Sequence, residues 1–232
     1  GGDGQFHMVW TVSWKDKGVG YASSKDLVNW TAQRFIPVMA KVDGARNTWA
    51  PELTYDARTA TYMLYWASTV RGKFMETASA KEDNYNHRLY YSTTNDFTSF
   101  SETRLLYDPG FNCIDATIIA AGNGFVMYFK DETPEPPQKN IKIAYSARLE
   151  GPYSAAGAPI TGKYWAEGPA ATTIGEEKVV YFDKYMDGKY GAIASSDGKS
   201  WVDISDKISM PEGIRHGSII KITAAEFAKL AK

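Results

Sequence analysis

Ala166-Glu167-Gly168-Pro169-Ala170 is the clearest of four short segments that recur along this chain of 232 residues. The other three are Trp49-Ala50-Pro51-Glu52-Leu53, Cys113-Ile114-Asp115-Ala116-Thr117-Ile118 and Arg215-His216-Gly217-Ser218-Ile219. Aligned on Ala50, Asp115, Glu167 and His216, they lie 65, 52 and 49 residues apart. Spacing of this size is typical of a propeller or another repeat array, in which each repeat is one structural unit.

The unit that repeats is a pair of strand patterns, a polar turn and an aromatic residue. Its second copy runs through Tyr62–Trp66 and Leu89–Thr94 and ends at Phe100. Polar residues suit a turn that binds its own backbone, and the aromatic residue would fill the gap between neighbouring sheets. Four such units predict an all-β fold of four-stranded blades around an axis, with the innermost strand first.

Both ends of the chain are expected to hold incomplete blades. Counting back from Met8 by the spacing in the other units reaches a point before Gly1, so the first blade is predicted to lack its innermost strand. Arg215–Ile222 is predicted to form an innermost strand whose outer partners are not in the sequence. We therefore expect one propeller domain, 1–232, truncated at its N terminus and ending in a short helix from Ala224 to Lys232 that Thr223 caps.

Composition excludes several classes of function. The formal net charge is −1 and no basic stripe occurs, so there is no electrostatic reason to expect binding to nucleic acid or to an anionic membrane. No apolar run approaches the roughly 18 residues of a membrane helix. The single cysteine, Cys113, excludes an internal disulfide and a cysteine-rich zinc site.

The chemistry is predicted at the axis. Asp115, Glu167 and His216 stand first in three successive innermost strands, and equivalent positions of neighbouring blades converge at the mouth of the axial tunnel. Inverting glycoside hydrolysis needs a carboxylic acid and a carboxylate base roughly 6.5–9.5 Å apart. A further carboxylate close to the acid would raise the pKa of that acid by repulsion between like charges.

In this order and spacing, the motifs Trp49-Ala50-Pro51-Glu52, Ile114-Asp115-Ala116-Thr117, Glu167-Gly168-Pro169 and Arg215-His216-Gly217-Ser218 resemble glycoside hydrolase family 43. That resemblance implies a five-bladed propeller, here with four blades largely complete and a fifth partial. Family members are mostly α-L-arabinofuranosidases, β-xylosidases and arabinanases that act with inversion. The resemblance favours a secreted or periplasmic monomer that acts on carbohydrate.

The resemblance also implies roles for individual residues. Glu167 would be the general acid, and Asp115 would tune its pKa and orient it. His216 would lie near the axis, where family members often place a water or a calcium ion, although no cofactor is required. The family's general base is an aspartate on the first innermost strand, in an Arg-Asp-Pro context. Because that strand is absent here, 1–232 is expected to be inactive or nearly so without it.

Further residues are candidates for binding the substrate. Trp49 is either a sugar platform or part of the core, and Arg215 and His216 belong to the last motif. Trp165 and the stretch Phe129-Lys130-Asp131 would line the cleft. Glu52 is interpreted as structural, binding backbone or Arg46, and His216 as a hydrogen-bonding residue rather than a metal ligand.

The leading hypothesis is a glycosidase that removes terminal or side-chain arabinofuranosyl or xylosyl residues from plant-type polysaccharides or oligosaccharides. The first alternative is a carbohydrate-binding propeller without activity. A protein-interaction propeller is the second alternative, and it predicts an exposed aromatic patch away from the axis.

Overall fold

A near-continuous apolar run such as Thr61–Ser68 is typical of a strand that is covered on both faces, and all but the first residue of this strand are buried. We describe residues 2–231 in a computed structural model, which is all-β apart from short helical segments. The strands form four antiparallel sheets, each in simple chain order. The prediction of an all-β fold is confirmed.

The first sheet contains β1 (Phe6–Thr11), β2 (Val19–Ser24) and β3 (Arg34–Ile36). The second contains β4 (Trp49–Asp56), β5 (Thr61–Ser68), β6 (Arg88–Thr94) and β7 (Arg104–Tyr107). The third contains β8 (Cys113–Ala121), β9 (Gly124–Asp131) and β10 (Asn140–Ser146). The fourth contains β11 (Glu167–Ile174), β12 (Glu177–Lys184), β13 (Lys189–Ser195) and β14 (Val202–Asp203).

The sheets follow one another like propeller blades. Strand β4 contacts β1 on one side and β8 on the other, and β8 contacts β11. Three buried apolar clusters lie between successive sheets, and they are centred on Trp66, Met127 and Phe182. This stacking brings the first residues of β4, β8 and β11 together at one end of the inner strands.

A repeated turn fixes which strands correspond. After β2, β6 and β13, the carboxylates of Asp26, Asp96 and Asp197 each accept two backbone N–H groups from the residues that follow. Such turns satisfy backbone groups that no strand pairs. They make β2 equivalent to β6 and β13, so β1 corresponds to β5 and β12. Within residues 2–231 the first sheet therefore has no counterpart of the inner strands β4, β8 and β11.

Two expected strands are not formed. Arg215–Ile222 was predicted to be an innermost strand, but it has irregular backbone, and Ile219 and Ile220 stay 40% and 55% exposed. It lacks a strand ladder with any other part of residues 2–231, and an isolated strand is not stable. In the third blade, the backbone N–H groups that the outer segment donates to β10 belong to Ser154, Gly157 and Ile160, every third residue, which is not the two-residue period of a strand.

The C-terminal helix is confirmed. Helix α1 spans Ala224–Leu230, and Thr223 and Glu226 form a reciprocal capping box at its start. Among residues 2–231, no helix has the length and apolar character needed to cross a membrane.

Candidate active site

Each inner strand bends at the same point. The β-bulges lie between Trp49 and Glu52, between Ile114 and Thr117, and between Glu167 and Ala170. In each bulge one residue has a left-handed backbone, with φ of 45° at Ala50, 54° at Asp115 and 56° at Gly168. Bulges re-aim side chains and are frequent next to active sites, and left-handed non-glycine residues such as Asp115 carry strain that tends to cluster there.

The bulges correct the predicted register by one residue. Asp115 is equivalent to Gly168, not to Glu167 as the alignment of motifs assumed. The signal for the correct register was in the sequence, because superposing Pro51 on Pro169 pairs Glu167 with Trp49. Aligning Asp115 with Glu167 because both are carboxylates shifts the register by one residue.

The two carboxylates nevertheless face one pocket. One carboxylate oxygen of Asp115, one of Glu167 and one ring nitrogen of His216 lie within 4.8 Å of one another. Nε2 of His216 is 3.1 Å from Oε1 of Glu167 and 3.9 Å from Oδ2 of Asp115. The backbone N–H of Gly168 donates to Oδ2 of Asp115 at 3.1 Å, which fixes the buried carboxylate against the start of β11.

Positive charge surrounds Glu167. Lys130 Nζ lies 2.9 Å from its Oε2, and a guanidinium nitrogen of Arg215 lies 2.9 Å from its Oε1. Burial would raise the pKa of Glu167, but the hydrogen bond from His216 and the nearby charge of Lys130 outweigh it and lower the pKa to about 2. The expected increase caused by Asp115 is therefore wrong, because the cations touch Glu167 directly.

The pKa of His216 shifts in the opposite direction to that of Glu167. Burial lowers the pKa of His216, whereas the hydrogen bond to Glu167 and the charge of Asp115 raise it, and the net pKa lies above 6.5. The imidazolium and the carboxylate are in contact, so they titrate as a pair that shares one proton. The raised pKa of His216 and the lowered pKa of Glu167 favour an imidazolium beside an ionised carboxylate.

A cavity of about 280 Å³ adjoins this pair and is lined by Thr11, Glu52, Asp115, Gly168 and His216, among others. A second cavity, of about 660 Å³, shares Glu52 with it and extends along the inner strands. Their combined size suits a small ligand.

Glu52 is a further carboxylate, and it lines both cavities. Its Oε1 accepts a hydrogen bond from the Ser218 hydroxyl at 2.6 Å, and burial raises its pKa to about 7. The predicted contact with Arg46 is wrong, because Arg46 donates to the carbonyl oxygens of Asp83 and Asn84 instead. Glu52 ties β4 to the irregular segment that carries His216.

Replacing Glu52 with glutamine is expected to raise the melting temperature at pH 8 by about 3 °C, equivalent to about 1 kcal/mol. The folded state keeps a proton that the unfolded chain loses above pH 4.5, so stability falls between pH 4.5 and about 7. Glutamine cannot ionise and still accepts from Ser218. Thermal denaturation should show no gain near pH 4.5, and no gain at pH 8 would contradict the assignment.

Aromatic side chains lie beside the pocket. Trp49 is half-buried, and its ring centroid is 5.2 Å from that of Trp14 and 4.6 Å from that of Tyr85. Trp14 is 72% exposed. Trp165 is 39% exposed and lies 5.9 Å from Tyr185. Exposed rings of this kind offer apolar faces to a ligand.

Phe129 was predicted to line the cleft, and this is wrong. It is fully buried in the cluster between the second and third sheets. Side chains alternate along a strand, so Lys130, the next residue of β9, points to Glu167 instead. Asp183, which pairs with Arg215, was missed. Its position could have indicated its role, because Asp183 lies near the end of β12 at the position equivalent to Lys130 in β9.

Residues 9–228 match a protein family described as "Probable glycosyl hydrolase domain" and related to glycoside hydrolase family 43. An α-L-arabinofuranosidase of Bifidobacterium longum subsp. longum is 28% identical over 116 residues, which cover 47% of this chain and 11% of that relative.

Solved structures of family 43 proteins share the fold. A β-1,3-galactosidase solved with galactodeoxynojirimycin has a TM-score of 0.64 at 12% identity, and the match covers 91% of this chain and 75% of that chain. An exo-β-1,3-galactanase from Phanerochaete chrysosporium has a TM-score of 0.65 at 12% identity, covering 87% and 47%. Likeness at these identities bears on the fold and not on the substrate.

Proposed function

The chain belongs to a family of probable glycosyl hydrolase domains related to glycoside hydrolase family 43, and from this premise we propose that it hydrolyses glycosidic bonds with Glu167 as the general acid. The resemblance seen in the four sequence motifs is thereby confirmed at the level of the family. The observation that carries the proposal is the contact of 3.1 Å between Glu167 and the imidazole of His216, beside the buried carboxylate of Asp115.

The proposed acid works through the proton of the pair. In the resting site we place the proton on His216, whose pKa is raised, and we take Glu167, whose pKa is lowered, as ionised. A sugar that fills the pocket would exclude water and disfavour two separate charges, so the proton would move from Nε2 of His216 to Oε1 of Glu167. Glu167 would then donate it to the glycosidic oxygen as the bond to the anomeric carbon breaks.

Asp115 would control both the pKa of His216 and the orientation of Glu167. Its carboxylate raises the pKa of His216, which favours keeping the proton in the site. The N–H of Gly168, held by the same carboxylate, fixes the bulge that aims Glu167. The second effect supports the orienting role that the family resemblance implies for Asp115, whereas the modulation that we propose acts on His216 and not directly on Glu167.

The base that activates water remains the aspartate implied by the resemblance. Residues 2–231 contain no counterpart of the strand that carries this aspartate. We also propose five positions around the axis, with the irregular segment that carries His216 at the fifth.

We propose that the reaction needs no metal ion. Asp115, Glu167 and His216 are close enough to bind a cation together, but both oxygens of Glu167 already contact cationic side chains. Lys130 and Arg215 would repel a further cation. The donor set therefore does not fit calcium, and no step of the proposal depends on it.

The proposed substrates carry terminal or side-chain arabinofuranosyl or xylosyl groups, and we propose that Trp14, Trp49 and Trp165 stack on sugar rings. The arabinofuranosidase relative supports arabinofuranosyl, although it matches only half of this chain. The galactosidase and galactanase neighbours make a galactosyl group the competing choice.

The function is tested by assaying the complete natural polypeptide on nitrophenyl α-L-arabinofuranoside, β-D-xyloside and β-D-galactoside. We expect turnover of the arabinofuranoside or the xyloside. Turnover of the galactoside alone would support glycosidase activity but contradict the proposed arabinofuranosyl or xylosyl specificity. Saturable binding of oligosaccharides with no turnover of any of them would favour the carbohydrate-binding alternative.

A further inference from the structure

A buried lysine, Lys130, contacts the proposed acid, Glu167. Lys130 is 2% exposed, and its ammonium nitrogen is 2.9 Å from Oε2 of Glu167 and 2.6 Å from Oε2 of Glu132. It also lies 4.7 Å from the ring centroid of Tyr185. A buried ammonium is costly without partners, and here the negative charges of Glu132, Asp115 and Glu167 hold it charged.

The contacts continue outward from the site. Oε1 of Glu132 is 2.8 Å from the ammonium nitrogen of Lys139, which is itself 2.6 Å from Oε1 of Glu82. Lys139 is 2% exposed, whereas the side chain of Glu82 is 42% exposed. Charges of alternating sign thus run from the surface to Glu167 through Glu82, Lys139, Glu132 and Lys130.

The backbone is strained on both sides of the contact between Lys139 and Glu82, the outermost of the series. Lys139 has a φ of 45°, and Glu82, Asp83 and Asn84 have φ values of 51°, 55° and 58°. Non-glycine residues keep this conformation only where their surroundings determine it. Arg46 helps to hold the turn by donating to the carbonyl oxygens of Asp83 and Asn84.

On the premise that Glu167 is the acid, we propose that Lys130 is its positioning residue and that Glu132 and Lys139 hold Lys130 in place. The ammonium group occupies Oε2 of Glu167 and so directs the proton to Oε1, the oxygen that His216 and Arg215 contact. Without Lys130 the carboxyl group would be held through Oε1 alone, by His216 and Arg215, and the proton could be placed on Oε2 instead.

The test compares Lys130→Met, Lys130→Arg and the control Lys142→Met in the complete natural polypeptide. Lys142 is a matched lysine on the neighbouring strand: it is 2.9 Å from Asp131 and 4.7 Å from the ring centroid of Phe111. We expect Lys130→Met to lower kcat about 30-fold with KM changed less than about threefold, since misplacement by 1 Å can cost about a hundredfold. Lys130→Arg should restore part of kcat, and Lys142→Met should leave it unchanged.

A second measurement does not depend on turnover. Titration of the Glu167 carboxyl by carbon-13 NMR should show that Lys130→Met raises the pKa of Glu167, whereas Lys142→Met does not. If Lys130→Met does not fold, Glu132→Gln replaces it, with an expected loss in kcat of about tenfold. An unchanged kcat and an unchanged Glu167 titration in an active enzyme would overturn the role of Lys130. Absence of turnover in the wild type, with the titration still shifted, would overturn the proposed function alone.

Discussion

Replacing Glu167 with glutamine is expected to lower kcat/KM on an unactivated oligosaccharide by about 10³-fold, because the amide cannot protonate the leaving oxygen. Glutamine keeps the size of the side chain, so the pocket should stay intact. On a dinitrophenyl glycoside of the same sugar the loss should be far smaller, because dinitrophenolate leaves without a proton. Steady-state kinetics on the two substrates, measured side by side, check the prediction.

The control for this variant is Glu176→Gln. Glu176 is an exposed carboxylate in the turn between β11 and β12, in the same sheet as Glu167. This control should leave both rates unchanged. Equal losses on the two substrates in Glu167→Gln would point to damaged binding and not to acid catalysis. Unchanged rates on both would remove Glu167 from the mechanism.

Replacing Asp115 with asparagine is expected to lower kcat about 10²-fold, and to move the alkaline limb of the pH profile towards lower pH. The Asp115 carboxylate raises the pKa of His216, so the pair keeps its proton above pH 6.5. Activity should be present below the raised pKa of His216 and lost as the pH rises through it. Asparagine can still accept the N–H of Gly168 but carries no charge, so the proton would be lost at lower pH.

Asp56→Asn provides a matched comparison for Asp115. Asp56 is 5% exposed, as Asp115 is 6% exposed, and it pairs with Arg58 at the outer end of β4. We expect this variant to change stability without moving the pH profile. If Asp115→Asn lowers kcat while the alkaline limb stays in place, Asp115 has a structural role only.

Much of the site could be predicted from single motifs and their spacing. The order of the motifs around Asp115, Glu167 and His216 predicted the family, and the repeat predicted that their side chains meet. The aromatic and polar turn residues predicted the sheets, because each turn satisfies its own backbone with local groups. The C-terminal helix followed from Thr223 in the same way, since capping depends on neighbours a few residues apart.

Other features depend on contacts between distant parts of the chain. Lys130 reaches Glu167 from the neighbouring sheet, and Arg215 reaches both Glu167 and Asp183. The contacts of His216 and Lys130 with Glu167 reverse the direction in which its pKa moves. Burial of Phe129 likewise follows from the stacking of the second sheet on the third.

The sequence alone determined the all-β fold, the repeat and the identity of the acidic residues, because these depend on residue type and on spacing along the chain. The tertiary structure alone decided the bulges themselves, the side on which Lys130 lies, and the opposite pKa shifts of Glu167 and His216. The reason is physical: the energy of a charge depends on its distance from other charges and from water, and in this protein those distances span four sheets.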